Sequence, residues 1–513
     1  MLLTSIFEVS AANLIIVSTT IFILLLLSRV FYNLYLHPLA GFPGPWYAAS
    51  TSLATAITSV INREPQWLLE LTKKYGTDRP IRITPNLLLF PKVADMREIY
   101  CDPKLNTKSL FYGSGALGPP HLFSTLDADE HRTLRKALGG PQWTMGSLKN
   151  IWEPRIDDLI TIFTQRMTEF SETKTEIVIS DKAAEFAADV LTMLSFTKPW
   201  GFVDNQRDEG DYLKSWRKGL PYFGVYNRWN SFRDYVLKSP TLSPYFLPST
   251  NDKTGMGFLA SHADKAIKGR EIEIEKANGH WQMNNPDLLQ YCIDARFPDG
   301  SPLNDIQRRA HMTLIIQAGA DTTGTAMGCT LRNLMTHPDV LRKAQAEIDA
   351  AEAAGKLSRP ISYEESRKYL PYCGACIKES MRITPPTPNL LPRVVGPGGK
   401  TIGKDFIPAG AEVTSHAYVL PRDTDFYGPD ADVFRPERWL EPGRDVELEN
   451  SLFTFSIGPR VCLGKDIATM EMWKFLPEMV RNFDLKMLEV GKYVVAGGIG
   501  YNENLRVQLT RRI

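Results

Sequence analysis

The segment Phe455-Ser456-Ile457-Gly458-Pro459-Arg460-Val461-Cys462-Leu463-Gly464 sets a single cysteine in a short loop, punctuated by glycine and preceded by an aromatic residue. Its pattern is F-x-x-G-x-R-x-C-x-G. A lone thiol in such a loop suits ligation of haem iron, because a thiolate pushes electron density onto the metal and favours O–O cleavage. Glycine lets the backbone approach the sulfur and turn N–H groups toward it, and such hydrogen bonds tune a metal ligand. Phe455 is placed to shield the sulfur from water. Arg460 is placed to pair with a haem propionate. The plainer reading is a buried free cysteine in an ordinary loop.

A second group, Ala318-Gly319-Ala320-Asp321-Thr322-Thr323, falls in the middle of a helix-like stretch. Glycine, a carboxylate and two hydroxyls are poor choices for a helix interior. A hydroxyl can bond back to the carbonyl one turn earlier and bend the helix. The gap so made holds oxygen and water. Asp321 and Thr322 then form an acid–alcohol pair able to deliver protons into a dry pocket, as oxygen activation requires. A kink with no proton role is the alternative.

Both segments resemble the cytochrome P450 superfamily, in particular its microsomal fungal type. The cysteine loop matches at every fixed position, and residues 318–323 match A/G-G-x-D/E-T-T/S. Further motifs follow in the family's order. Glu379-Ser380-Met381-Arg382 is E-x-x-R, a spacing that puts both charges on one helix face. Alone it would read as a solvated surface pair. However, Phe434-Arg435-Pro436-Glu437-Arg438-Trp439 resembles the family's P-E-R block. The resemblance implies a structural Glu379–Arg382–Arg438 cluster that locks the cysteine loop. His131 and Arg135, one helical turn apart, stand where the family often has W-x-x-x-R. The resemblance implies that both reach the haem propionates, with His131 in place of tryptophan. Arg393, in Leu391-Pro392-Arg393, occupies the place of a further propionate-binding residue. For residues 131–136 a basic surface helix stays open as the alternative.

Hydrophobic periodicity predicts the elements that position these groups. Short strands are expected over 79–90, interrupted by Pro80, Pro85 and Pro91. Helices are expected over 151–170, where Ile156, Leu159, Ile160, Phe163 and Met167 share a face, and over 181–194. Residues 199–257 are rich in aromatics, proline and glycine and yield no assignment. Asn304-Asp305 reads as the cap of a long helix to about Met335. A helix from Pro338 to near Gly355 follows, then one over 363–383, stopped by Pro385-Pro386. Short β-like runs span 390–419, and a helix over 464–483 follows the cysteine. The fold class is mainly α with minor β, and the resemblance implies the cytochrome P450 fold preceded by one N-terminal transmembrane helix. In that fold a haem lies between the long central helix and the helix after the cysteine. By the same resemblance, residues 111–123, 316–320, 387–391 and 497–501 line the substrate pocket.

The chain has 513 residues, a formal net charge of +1 and six scattered cysteines. No basic excess invites nucleic acid. The cysteines do not form a disulfide framework, which fits free thiols facing the reducing cytosol. Cys373-Gly374-Ala375-Cys376 is C-x-x-C, but without a second pair it reads as core, and the histidines lack metal-ligand spacing. Residues 11–27 are almost wholly apolar, and extension through Arg29 to Leu36 is long enough for a membrane span. Residues 1–36 are therefore expected to be an anchor, 37–47 (His-Pro-Leu-Ala-Gly-Phe-Pro-Gly-Pro-Trp-Tyr) a stiff hinge, and 48–513 the catalytic domain. A cleaved signal peptide competes, but the N-terminus carries Glu8 and no lysine or arginine. Arg29 favours a cytosolic catalytic domain.

The resemblance implies a haem-thiolate monooxygenase that carries haem b and inserts one oxygen atom from O₂ into a lipophilic small molecule. NADPH–cytochrome P450 reductase would supply electrons, with cytochrome b5 a second candidate donor. An acidic reductase would meet Lys136, Lys465 and Lys474. The implied setting is the endoplasmic reticulum membrane and a fungal secondary-metabolite pathway. Two rivals are a haem-thiolate isomerase or dehydratase and a non-enzymatic haem binder.

Overall fold

The computed structural model describes residues 11–277 and 285–512; the first ten residues of the expected anchor, Glu8 included, lie outside them. Helices dominate and the strands are short, in agreement with the expected class. The central helix opens as the sequence predicts. The Asn304 side chain accepts from Gln307 N at 2.9 Å and Gln307 returns the bond to Asn304 N, a capping box. It runs as two segments, Asp305–Ala318 and Ala320–Thr336, which meet at Gly319. Thr322 Oγ1 donates to Ala318 O at 2.9 Å and Thr323 Oγ1 to Gly319 O at 3.4 Å. These are the back-bonds expected to loosen the helix at this point.

The second segment packs along the Ile179–Phe196 helix. At Gly324 the helices approach so closely that a Cβ would lie 2.4 Å from Ala184 Cα. The same segment packs on the helix after the cysteine, Lys465–Asn482, in a core holding Met327, Leu331, Ile377, Met470 and Phe475. Helices also form at Glu153–Glu172 and Pro338–Ala353, within two residues of expectation.

Two expectations need correction. Residues 363–383 are not one helix but Tyr363–Tyr369 and Pro371–Ile383. Pro371 has no N–H to give and disfavours the helical conformation at Leu370, whose φ/ψ is −124°/53°. The chain's last stretch, for which no strand was expected, is β-rich. Arg506–Arg511 pairs antiparallel with Phe483–Glu489 and with Ile177–Val178, and Lys492–Ala496 forms a hairpin with Ile499–Glu503. The unassigned region contains the helix Tyr212–Arg228, continuous through Pro221.

The expected strands over 79–90 are Ile81–Thr84 and Leu87–Leu89. They join Glu412–Thr414 and Arg393–Val394 in a four-stranded sheet, with Leu87–Leu89 parallel to Glu412–Thr414. This sheet sets the position of Arg393.

Asn13–Leu36 is helical and holds an 18-residue apolar window with a mean hydropathy of 2.4 and no buried residue, so by length and composition it can cross a membrane. The last turn of this helix and the segment that follows are stapled to the domain rather than free. Asn33 Nδ2 donates to Ser50 O at 2.9 Å, Arg82 Nη1 donates to Asn33 O at 2.8 Å, and Arg82 N donates to Pro43 O at 2.7 Å. Leu39 is fully buried in the core that also holds Phe90 and Val413.

Candidate active site

Cys462 lies just before the N-terminus of the Lys465–Asn482 helix, and its N–H donates to Phe455 O at 2.9 Å, closing the loop. Gly458 takes φ +71°, and a Cβ there would lie 2.2 Å from Tyr100 O, so this position needs glycine for both conformation and space. At Gly464 a Cβ would meet no protein atom. Glycine at 464 is therefore not required by the protein's own packing, which fits the close approach of a bound group. Cys462 is the exposed one of the six cysteines, whereas Cys373 and Cys376 are buried in the core as expected. Burial still pushes its thiol up, opposed by the Gly464 N–H, Arg135 and Lys465. It thus lines a recess, not the outer surface. A helix N-terminus and adjacent cations favour the thiolate once a metal is there to take it.

Basic side chains from four segments converge beside this loop. Arg135, on the Ala128–Leu138 helix, donates to Val461 O at 2.6 Å. Arg460 is buried, with Nε donating to Asn106 Oδ1 at 3.1 Å and Nη1 to Thr125 O at 3.0 Å. Arg393 donates to the Tyr112 hydroxyl at 3.1 Å. Buried Lys108 donates to Phe123 O. None of these four cations forms an ion pair with a carboxylate among the described residues. Burial, followed by the charges of Arg393 and Arg460, drives the Lys108 ammonium far below its ordinary pKa. Burial likewise lowers Arg460 to about 10, with Arg393 next. His131 sits among them, lowered to about 3 by burial and then by Arg460, Lys108, Arg135 and Arg393. It is neutral at physiological pH. Buried cations are normally paired, so an unbalanced cluster of this kind calls for an anionic ligand. Together with the recessed thiol and the open space at Gly464, it fits a thiolate-ligated haem whose two propionates meet the cations.

The Glu379–Arg382–Arg438 group is also assembled, and all three side chains are 0% exposed. Glu379 accepts from Arg382 Nε and Nη2 at 2.8 Å each, from Arg438 Nε at 3.0 Å, from Arg435 N at 2.9 Å and from Trp439 Nε1 at 2.9 Å. Arg382 Nη1 spends its remaining capacity on Pro421 O and Ala431 O. The link to the cysteine loop is Thr454 Oγ1, which donates to Met381 O at 3.2 Å.

Asp321 and Thr322 face different partners. Thr322 donates to Ala318 O. The Asp321 carboxylate is 1% exposed and held by Arg217 Nη2 at 2.8 Å; Arg217 is 22% exposed and also reaches Asp181 at 3.3 Å. Burial opposes the Arg217 charge, but Asp321 and then Asp181 outweigh it and hold its pKa above the ordinary value. A carboxylate chain therefore runs from the partly exposed Asp181 through Arg217 to the interior.

The Cytochrome P450 family model matches residues 106–494. The chain belongs to the cytochrome P450 family. It is similar to a cytochrome P450 monooxygenase of Aspergillus terreus, 30% identical over 470 residues, which covers 88% of this chain and 91% of the relative. It is similar to cytochrome P450 monooxygenase gsfF of Penicillium aethiopicum, 30% identical over 506 residues (94% and 95%), and to cicH of Emericella nidulans, 31% identical over 488 residues (92% and 93%). The chain is thus an oxidoreductase of the cytochrome P450 monooxygenase class, and its family implies a haem-thiolate cofactor.

Sequence reasoning missed Lys108, Arg217 and Asp181 in this P450, and placed Tyr112 only within the 111–123 pocket stretch, not beside Arg393. Lys108 was detectable only as a lone cation beside an apolar run, Ser109-Leu110-Phe111-Tyr112. Arg217 lay in the unassigned region, and its pairing spans 104 residues. One expectation fails. Lys474 is fully buried, bonded to Glu153 at 2.8 Å and paired with Asp157 at 2.6 Å, and cannot meet a partner protein. Lys136 and Lys465 are exposed.

Proposed function

We propose that this P450 inserts one oxygen atom from O₂ into a lipophilic small molecule, in a fungal secondary-metabolite pathway. The observation that carries the reading is the recessed Cys462 thiol beside a buried cation cluster that forms no ion pair among the described residues, Asp127 acting on Arg460 only at longer range. Cys462 would hold haem b through its thiolate, and Phe455 would shield the sulfur. His131, Arg135, Arg393, Arg460 and Lys108 would hold the propionates. A thiolate-ligated haem supplies O₂ activation and O–O cleavage. Thr322 would hold a proton at its hydroxyl for delivery into the pocket, resupplied by Asp321. To resupply it, the Asp321 carboxylate would take a proton from water on the partly exposed Asp181 side, leave Arg217 and swing toward Thr322. Residues 111–123, 316–320, 387–391 and 497–501 would exclude water and hold substrate. Ala116, Phe123, Ile316, Ala320 and Ile499 already share one apolar cluster.

Electrons would come from NADPH through a separate reductase, or from cytochrome b5, docking near exposed Lys136 and Lys465. The apolar N-terminal helix would anchor the enzyme in the endoplasmic reticulum membrane, with residues 48–513 in the cytosol. The test is the reduced carbon monoxide spectrum. Wild-type protein should absorb near 450 nm, as the family implies, and Cys462→Ala should lose that band entirely. A histidine-type spectrum in wild type refutes the reading. Product formed without O₂ or NADPH would favour the isomerase alternative.

A further inference from the structure

The cysteine loop and the cation Arg393 belong to separate segments of the chain, and one buried side chain touches both. Tyr100 is the last residue of the Val93–Tyr100 helix and is 3% exposed. Toward the loop it makes two contacts. Its ring packs on Phe453, with centroids 4.7 Å apart and planes tilted by 44°. Phe453 opens the turn Phe453–Phe455, whose last carbonyl accepts the Cys462 N–H. The Tyr100 carbonyl oxygen is the atom that leaves room only for glycine at 458. The loop therefore rests on Tyr100 at its entry and again at its glycine turn.

Toward the cluster Tyr100 makes two more contacts. The Arg393 guanidinium lies 5.0 Å from the centre of its ring, within cation–π range. The Tyr100 hydroxyl accepts from Ser415 N at 2.9 Å and lies 3.3 Å from Thr414 Oγ1. Thr414 gives its own proton to Ser415 O at 2.8 Å, so in the second bond Tyr100 is the donor. Thr414 Oγ1 also accepts from Leu391 N at 3.1 Å, two residues before Arg393. Its strand, Glu412–Thr414, is the one that pairs with Arg393–Val394. Burial raises the pKa of the phenol, against the pull of Arg393, so the ring is neutral. Its π face offers a buried cation without a carboxylate some compensation.

We propose that Tyr100 is a positioning residue of the haem site, which couples the place of Cys462 to the place of Arg393 so that thiolate and propionate cation keep one spacing. This rests on the haem-thiolate reading and deepens it.

Two rates read the two ends in the haem-loaded full chain, measured well below the melting point of every variant. Decay of the 450 nm band of reduced, carbon monoxide-bound protein reports the thiolate. Transfer of haem to a competing apo-globin reports the propionate side. Tyr100→Leu should speed both about tenfold, the scale of one cation–π contact in a partly dry site. Tyr100→Phe keeps the ring against Phe453 and Arg393 and should hold both rates within about twofold of wild type. Ile348→Ala, in the core on the Pro338–Ala353 helix, should lower the melting point without speeding either rate. A double-mutant cycle then reads the coupling itself. Arg393→Met should speed decay of the 450 nm band in the wild-type background and have no further effect in Tyr100→Leu. Additive effects in that cycle overturn the proposal, because loop and cation would then be held separately. So do wild-type rates in Tyr100→Leu, a Tyr100→Phe as fast as Tyr100→Leu, or an Ile348→Ala as fast as Tyr100→Leu. If Tyr100→Leu takes up no haem, Phe453→Leu carries the test: it should speed haem transfer as well as band decay, and faster decay with unchanged transfer overturns the proposal. A wild type without a 450 nm band would instead remove the thiolate reading, and this proposal with it.

Discussion

Two arginine-rich clusters flank the cysteine loop, and they differ in what completes them. Around Glu379 the charges close on themselves. One carboxylate takes five hydrogen bonds from Arg382, Arg438, Arg435 N and Trp439, and Arg382 also meets the carbonyls of Pro421 and Ala431. Around Arg460 the charges stay open. Lys108, Arg135, Arg393 and Arg460 meet carbonyls, amides and a phenol, and none forms an ion pair with a carboxylate among the described residues, Asp127 acting on Arg460 only at longer range. Both clusters are costly to bury. In the closed one the cost is offset within the chain, so its function is to hold the fold. In the open one it awaits an outside anion, so its function is binding. Whether a buried charge is balanced from inside or outside separates scaffold from site in this protein.

The sharpest break of this comparison is Glu379→Ala. It leaves Arg382 buried without a carboxylate and Arg438 with Asp430 alone, at 3.3 Å. Removing one partner of a buried pair costs about 3–5 kcal/mol. The variant should melt well below wild type and fail to retain haem. A melting point within a few degrees of wild type, with full haem content, would mean that the closed cluster is no more than a well-ordered ion pair.

The same contrast explains what was legible in the sequence. The closed cluster and the cysteine loop are written in short motifs, because their geometry depends on fixed local spacing. Glu379 and Arg382 share one turn, and Gly458 answers to a single steric demand from Tyr100. The long helices were legible from periodicity, and Asn304 from its capping box. The open cluster was legible only in part. His131, Arg135, Arg393 and Arg460 stood at motif positions, whereas Lys108 joins them through a loop whose path no spacing predicts. Arg217 was hidden for a related reason, since it pairs with Asp321 across 104 residues from a helix that aromatics and Pro221 disguise. The C-terminal strands were missed because their pairing is tertiary. Arg506–Arg511 finds one partner in Ile177–Val178, more than 300 residues away. Lys474 misled in the opposite direction. A lysine on an amphipathic helix reads as exposed, yet Glu153 and Asp157 draw it inside.

A smaller effect is expected at the carboxylate that belongs to neither cluster. Asp321 is paired, but by a partly exposed arginine that can release it. Asp321→Asn should keep haem and substrate binding and slow turnover by about 10²-fold, the low end of general acid–base help. Thr322→Ala should keep NADPH consumption but divert electrons to peroxide. Product per NADPH, with peroxide counted in parallel, separates the two. If Thr322→Ala leaves coupling unchanged, its hydroxyl serves only the bond to Ala318 and the bend at Gly319.

The smallest effect is also the most discriminating, because its sign differs between protein states. Lys108→Met removes one cation from the open cluster. In haem-free protein that cation has no anion to meet. Burial and the neighbouring charges of Arg393 and Arg460 already push its pKa far down. A lysine whose folded pKa is depressed opposes folding between that value and its unfolded pKa of about 10.4, where the unfolded chain binds the extra proton. Stability of haem-free wild type should therefore climb as pH rises through that window, and Lys108→Met should flatten the climb and melt no lower than wild type near neutrality. In the haem-loaded enzyme the same substitution removes a partner of a propionate, and retention of haem against a competing apo-globin should fall about tenfold, the scale of one charge-assisted hydrogen bond. Opposite signs in the two states would follow from a cluster completed from outside. A loss of stability in both states would place Lys108 with Glu379, as part of the scaffold.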